Sequence, residues 1–203
     1  MIYDIANFNK NSKKYKVAID YYNKIISKID ITSNYYSEIL YRRGSSYERL
    51  GDYTKSDEDL LRSLEINPDD SKVLEKISDA YKRANEIFAN AVNDILEDND
   101  ECWIHDYHLM LLPRILRRLN PRVPIGFFLH IPFPSSDIYR MLPVRRRILE
   151  GVLAADLVGF HTYDYMRHFL SSASRILGVE SSPKGISTIL LLSLSSELED
   201  IEV

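Results

Sequence analysis

Apolar and aromatic positions in the first half of the chain recur at intervals of three and four residues. Tyr15, Ala18, Ile19, Tyr22, Ile25, Ile26 and Ile29 make one stripe; Ile39, Leu40, Gly44, Tyr47 and Leu50 make a second; Leu60, Leu61, Leu64 and Ile66 make a third. Such spacing puts each set on one face of a helix, and paired amphipathic helices are predicted. Gly51 and Asp52 close the second, and Asn67, Pro68, Asp69 and Asp70 the third. Glycine accepts a left-handed cap there, and proline cannot continue a helix. Past position 100 the period changes. Residues 101–105, 125–130 and 156–161 are apolar runs too short for helices. Each precedes a helical stripe, at 109–119, at 138–153 with a break near Pro143, and at 165–177. Strand and helix in alternation predict an α/β fold with a parallel sheet and right-handed crossovers. Runs apolar on both faces predict strands buried between two helix layers.

Composition deepens the division at position 100. Lysine falls from ten to one across it, while all five histidines, ten of fifteen arginines and seven of eight prolines lie beyond it. Two segments of different origin are expected. With 45% apolar and 28% charged residues the chain is no disordered polymer. With 26 basic against 30 acidic side chains it lacks the basic excess that nucleic acid or an acidic membrane surface attracts, so neither is expected as a partner. The most apolar run, 186–194, carries two serines and a threonine and falls well short of the roughly 20 residues a bilayer crossing needs. The single cysteine, Cys102, has no internal disulfide partner, and nothing before Asp4 resembles a secretion signal. A cytoplasmic, reducing location is expected.

In the helical half, Gly44, Tyr47, Tyr53, Ser56, Leu60, Ser63 and Pro68 fall on signature positions of a helical hairpin of about 34 residues. This pattern resembles the tetratricopeptide repeat, with one unit over residues 37–70. Tyr15, Ala18, Tyr22 and Asp30 fit the second helix of a preceding unit, and Ile77 with Tyr81 opens a following one. Such hairpins bury their apolar faces only against neighbours, and about three are needed for stability, so residues 1–78 are expected to be marginal alone.

In the α/β half, all three predicted strands end in histidine: His105 before Asp106, Tyr107 and His108; His130 before Pro132 and Pro134; His161 before Thr162. The carboxyl ends of parallel strands are where an open sheet binds its ligand. These residues suit a hydroxylated or phosphorylated ligand, with Asp106 as acceptor or base and His130 as donor or positive charge. Pro132 and Pro134 stiffen the loop after His130 and aim it. For His161 a structural role is favoured, with Thr162 capping the next helix; His168, in mid-helix, is expected at the surface. A metal set from His105, Asp106 and His108 is disfavoured, because zinc on a helix takes two histidines four apart flanking a glutamate. Arg145, Arg146 and Arg147 point about 100° apart and read as a solvated face. No glycine-rich phosphate loop is present, which speaks against self-sufficient nucleotide binding.

Three ordered blocks then carry a family resemblance: Trp103-Ile-His-Asp-Tyr-His-Leu-Met-Leu-Leu-Pro113, Ile125-Gly-Phe-Phe-Leu-His-Ile-Pro-Phe-Pro-Ser135 and Leu157-Val-Gly-Phe-His-Thr-Tyr-Asp-Tyr165. With the helix Ala80-Tyr-Lys-Arg-Ala-Asn-Glu-Ile-Phe-Ala-Asn-Ala-Val92 they resemble UDP-forming trehalose-6-phosphate synthases over residues 79–180. The resemblance implies a partial Rossmann-like half of a GT-B glycosyltransferase, whose N-terminal domain holds glucose 6-phosphate and whose C-terminal domain holds most of UDP-glucose. It implies glucosyl transfer in trehalose biosynthesis with retention of configuration, with UDP-glucose as co-substrate and neither a metal nor another cofactor. Asp106 then corresponds to the aspartate on the acceptor, glucose 6-phosphate, and His130 to the catalytic histidine beside the donor glucose. The family's opening strand and its nucleotide-binding domain have no counterpart in these 203 residues, and 181–203 match neither family. The chain is therefore expected to be a fragment, inactive on its own. Alternatively it is a regulatory or binding subunit, using its repeat helices to hold a full-length synthase or a peptide.

Overall fold

A computed structural model describes residues 1–182 and 185–186; the expected tail at 181–203 lies almost wholly outside the described residues. The chain divides into two units, residues 1–81 and 82–203.

The first unit is helical: α1 (Ile2–Asn11), α2 (Tyr15–Ile26), α3 (Asn34–Arg49), α4 (Tyr53–Ile66) and the opening of α5 (Ser71–Ile95). Most of the stripes read from the sequence become its core, with Ala18, Tyr22, Ile25, Ile39, Leu40 and Leu60 buried, while Leu50 and Leu61 stand exposed. Helix α1 supplies Ala6 and pairs with α2, so the incomplete leading hairpin has its first helix. Ser33 and Asp52 cap α3 and α4, and Asp70 accepts from Lys72 N and Val73 N at the start of α5. Where α3 crosses α4, small residues bring the backbones close. A Cβ on Gly44 would lie 3.1 Å from Asp59 Cβ and from the Ser56 carbonyl oxygen. The Ser37 and Ser63 hydroxyls bond each other at 2.9 Å, and Ser63 Oγ donates to the Ser37 carbonyl. Beside this crossing Arg43 donates twice to Asp59, at 2.8 and 2.6 Å, and a third time to Asn23 Oδ1. Burial pushes the Asp59 carboxyl up, against the pull of the guanidinium.

The second unit begins within α5, a single 25-residue helix where the sequence suggested a new hairpin. It continues through β1 (Cys102–His105), a 3₁₀ turn (Tyr107–Leu109), α6 (Leu112–Leu119), β2 (Ile125–Leu129), α7 (Ser136–Tyr139), α8 (Arg145–Val152), β3 (Leu157–Phe160), α9 (Tyr163–Leu177) and the two-residue strands β4 (Ser181–Ser182) and β5 (Gly185–Ile186). Strands β1, β2 and β3 form a parallel sheet in chain order, and β4 pairs antiparallel with β5. The register pairs Trp103 with Gly126 and Gly126 with Leu157, then His105 with Phe128 and Phe128 with Gly159.

Alternation sorts the strands into two faces. Ile104, Ile125, Phe127 and Leu129 point into the core with Leu116, Leu149 and Phe169. The other face carries Trp103 and Leu157, which are 53% and 58% exposed. The expectation of helix layers on both faces is thus corrected: among the described residues one face is covered. The apolar runs gave no sign of this, because they show which residues need cover and not what supplies it.

Candidate functional site

His105, His130 and His161, which the sequence placed at the strand ends, meet at one edge of the sheet, with Asp106 next to His105 in the chain. The backbone turns sharply after β1. Asp106 has φ 69° and ψ 172°, a conformation that costs a residue with a Cβ about 1–3 kcal/mol and is met mostly at functional sites. Its amide donates to the Phe128 carbonyl at 2.9 Å, tying the turn to β2. Its Oδ1 is fully buried and has no hydrogen-bond partner among the described residues. A buried carboxylate oxygen with an unfilled lone pair is costly unless something donates to it.

Three imidazoles stand beside it. His105 Nδ1 lies 3.1 Å from His130 Nε2, within hydrogen-bond reach across the ends of β1 and β2. The rings of His130 and His161 meet edge to face at 5.4 Å, and Phe128 lies against both, at 4.8 and 5.1 Å. All three histidines are exposed. Among the described residues His161 satisfies no loop carbonyl; Thr162 does the structural work, accepting from Tyr165 N to cap α9. His108 stacks on Tyr107 at 3.9 Å, away from the histidine row. Among the described residues no group of three His, Cys, Asp or Glu side chains is arranged to hold a metal ion.

Two supports escaped the sequence reading. Asn85, wholly buried on α5, donates through Nδ2 to the His108 carbonyl and accepts from Leu111 N, clamping the turn that follows Asp106. One of three asparagines on an amphipathic helix, beside Asn90 and Asn93, it gives no pattern to read. His168 is half-buried rather than superficial, with Nδ1 3.2 Å from the Phe133 carbonyl, and it anchors the loop carrying Pro132 and Pro134. Phe133 itself is buried against Tyr139 and Phe169. Of the arginine triplet, Arg146 reaches Glu150 and the Ile176 carbonyl while Arg147 is exposed. Glu150, buried, also takes Arg114, which locks α6 to α8.

Parallel strands joined by helices, with a polar site beyond their carboxyl ends, define a Rossmann-like domain, here part of a GT-B glycosyltransferase half. The model of glycosyltransferase family 20 matches residues 61–191, and the chain belongs to that family. The tetratricopeptide repeat model matches residues 37–70. The chain is 61% identical over 112 residues to the UDP-forming alpha,alpha-trehalose-phosphate synthase of Pichia angusta, covering 53% of this chain and 24% of that protein. Among solved structures it is similar to the N-terminal domain of trehalose-6-phosphate phosphatase from Candida albicans, at 41% identity and a TM-score of 0.58 over 61% of this chain and 26% of that one. It is also similar to an alpha,alpha-trehalose-phosphate synthase from Burkholderia xenovorans in complex with glucose-6-phosphate, at 34% identity and a TM-score of 0.50 over 52% and 23%. The chain thus spans about a quarter of the length of these relatives. Among the described residues no helix is long and apolar enough to cross a membrane.

Proposed function

We propose that the edge formed by Asp106, His105, His130 and His161 is the acceptor-side part of a glucosyl-transfer site, and that it takes glucose 6-phosphate. The observation that carries the reading is the buried, unpartnered Oδ1 of Asp106 on a strained backbone. A sugar hydroxyl that reaches this carboxylate as the ligand seats would offset the cost of that unpaired oxygen, with the turn tied to β2 holding the residue in place. His130, exposed at the end of β2 and backed by Phe128, would face the donor glucose and stabilise charge as the bond to UDP breaks. Likeness to a synthase crystallised with glucose-6-phosphate, and to relatives named as UDP-forming, supports the pairing of acceptor and donor.

Transfer itself belongs to a frame longer than these residues, since most transition-state binding to a nucleotide sugar comes from groups that hold its diphosphate. The 203 residues alone, with residues 79–180 as the sugar-binding segment and 1–78 as a helical module, bind acceptor without releasing UDP. The setting is the cytoplasm, where Cys102, its thiol pushed up by burial, stays protonated and reduced. A coupled assay for UDP, with UDP-glucose and glucose 6-phosphate both supplied, tests this. No UDP is expected from the chain, and UDP release that Asp106→Ala abolishes would overturn the division of labour.

A second reading rests on the repeat match at 37–70: the hairpins of α1 to α4 recruit a full-length synthase subunit or a peptide. Co-purification with an intact synthase is expected, and it should persist in Asp106→Ala. Recovery of the tagged chain free of any synthase contradicts that role.

A further inference from the structure

The glucosyl-transfer reading leaves the charges of the helical unit without a task. On α3, Glu38, Tyr41, Arg42, Ser45, Glu48 and Arg49 recur at three and four residues and so share one side of the helix. Two cation–π contacts tie that side to α1: Lys10 Nζ stands 5.7 Å from the centre of the Tyr41 ring, and the Arg42 guanidinium carbon 5.4 Å from that of Tyr3. The opening of α5 joins it through Lys76 Nζ, 2.6 Å from Glu48. Arg42 is paired with Glu38. Among the described residues Lys10 and Arg49 have no carboxylate partner, so the row sets four cations against two carboxylates. Lys10 is the costly member. It is half-buried, and burial holds its ammonium below the usual lysine range, with Arg42, Lys76 and Arg49 pushing the same way against Glu38. A methionine would lie over Tyr41 as well with no charge to desolvate, so packing does not account for the ammonium.

We propose that this side of the helical unit, formed by α1, α3 and the first turns of α5, is the docking surface for an acidic peptide segment of a partner protein, whose carboxylates pair with Lys10 and Arg49. The proposal rests on the recruiting role given above for the hairpins and names the chemistry they would recognise. A carboxylate seated beside Lys10 offsets both its lost hydration and the push of its like-charged neighbours. Arg42 and Lys76, held by Glu38 and Glu48, add a fixed positive field around it. Nucleic acid suits the row less well. Glu38 and Glu48 interrupt it and repel a continuous phosphate backbone, whereas a peptide can set neutral residues opposite them.

Fluorescence anisotropy of the purified 203-residue chain with a short labelled peptide alternating glutamate and alanine tests the proposal at low salt. Saturable binding is expected, and none to the same peptide with glutamine in place of glutamate. The double variant Lys10→Met/Arg49→Met should bind about tenfold more weakly, the worth of two partly exposed ion pairs. Lys16→Met/Lys28→Met removes the same charge from exposed positions that do not bear on Lys10, and should bind like the wild type. Lys10→Met should melt no lower than the wild type, since it relieves a charge held against its own kind. Equal weakening in the two double variants, no preference for glutamate over glutamine, tighter binding of an oligothymidylate than of the glutamate peptide, or a lower melt for Lys10→Met overturns the proposal. Because only chain and probe are present, that failure is distinct from a failure to co-purify with a synthase, which would sink the recruiting role instead.

Discussion

At Asp106 the proposed role rests on what the residue costs the fold. A non-glycine residue at φ 69° with a buried, unpaired carboxylate oxygen weakens the fold at one point, and nothing within the described residues repays it. Asp106→Gly should therefore stabilise the chain by about 1 kcal/mol while losing ligand binding, as thermal melts and titration would show. The opposite holds for the pair of Arg43 and Asp59, whose side chains are 19% and 8% exposed. Arg43→Met strands a buried carboxylate and should cost about 3 kcal/mol in urea unfolding, whereas replacing both partners by apolar residues should recover much of it. The sequence made the position of Asp106 and His130 at the strand ends legible, and with it their candidacy, because strand ends in a parallel sheet are where ligands bind. It left Asn85 and His168 hidden, because each acts through one backbone carbonyl or amide whose position depends on a distant turn.

At the scale of elements, periodicity located nearly everything. The three strands fall within the three apolar runs, and α7 and α8 separate at Pro143 as the break suggested. The stripe at 109–119 became a 3₁₀ turn and a shorter α6, because Asn85 holds the backbone at His108 and Leu111 away from a continuous helix. Close approaches were invisible to periodicity. A Cβ on Gly151 of α8 would sit 2.3 Å from the Met110 carbonyl oxygen and 3.0 Å from Leu111 Cα, both backbone atoms. A Cβ on Gly126 would meet the Trp103 ring at 2.6 Å, but that side chain is half exposed and free to swing out. Gly151→Ala should accordingly cost about 3 kcal/mol and Gly126→Ala under about 1, an order that paired chemical melts would check.

For the whole molecule, the uncovered sheet face dominates behaviour. Trp103 and Leu157 stand exposed on it, and β1 and β3 each have one edge without a strand partner among the described residues. Apolar area and open edges of this kind favour self-association. Leu157→Lys should raise the monomer fraction in size-exclusion chromatography with light scattering, with Leu61→Lys on α4, 54% exposed, as the comparison that changes little. The family resemblance foretold a partial Rossmann-like half, and the sheet of three strands agrees with it.

Calorimetric titration of the chain with glucose 6-phosphate tests the central claim most directly, run beside Asp106→Asn, which keeps shape and removes the carboxylate. Saturable binding to the wild type that weakens at least about tenfold in Asp106→Asn, the worth of one charge-assisted hydrogen bond, is the predicted result. Equal affinity in the two proteins, or no heat with either, would contradict the assignment of this strand edge as an acceptor site.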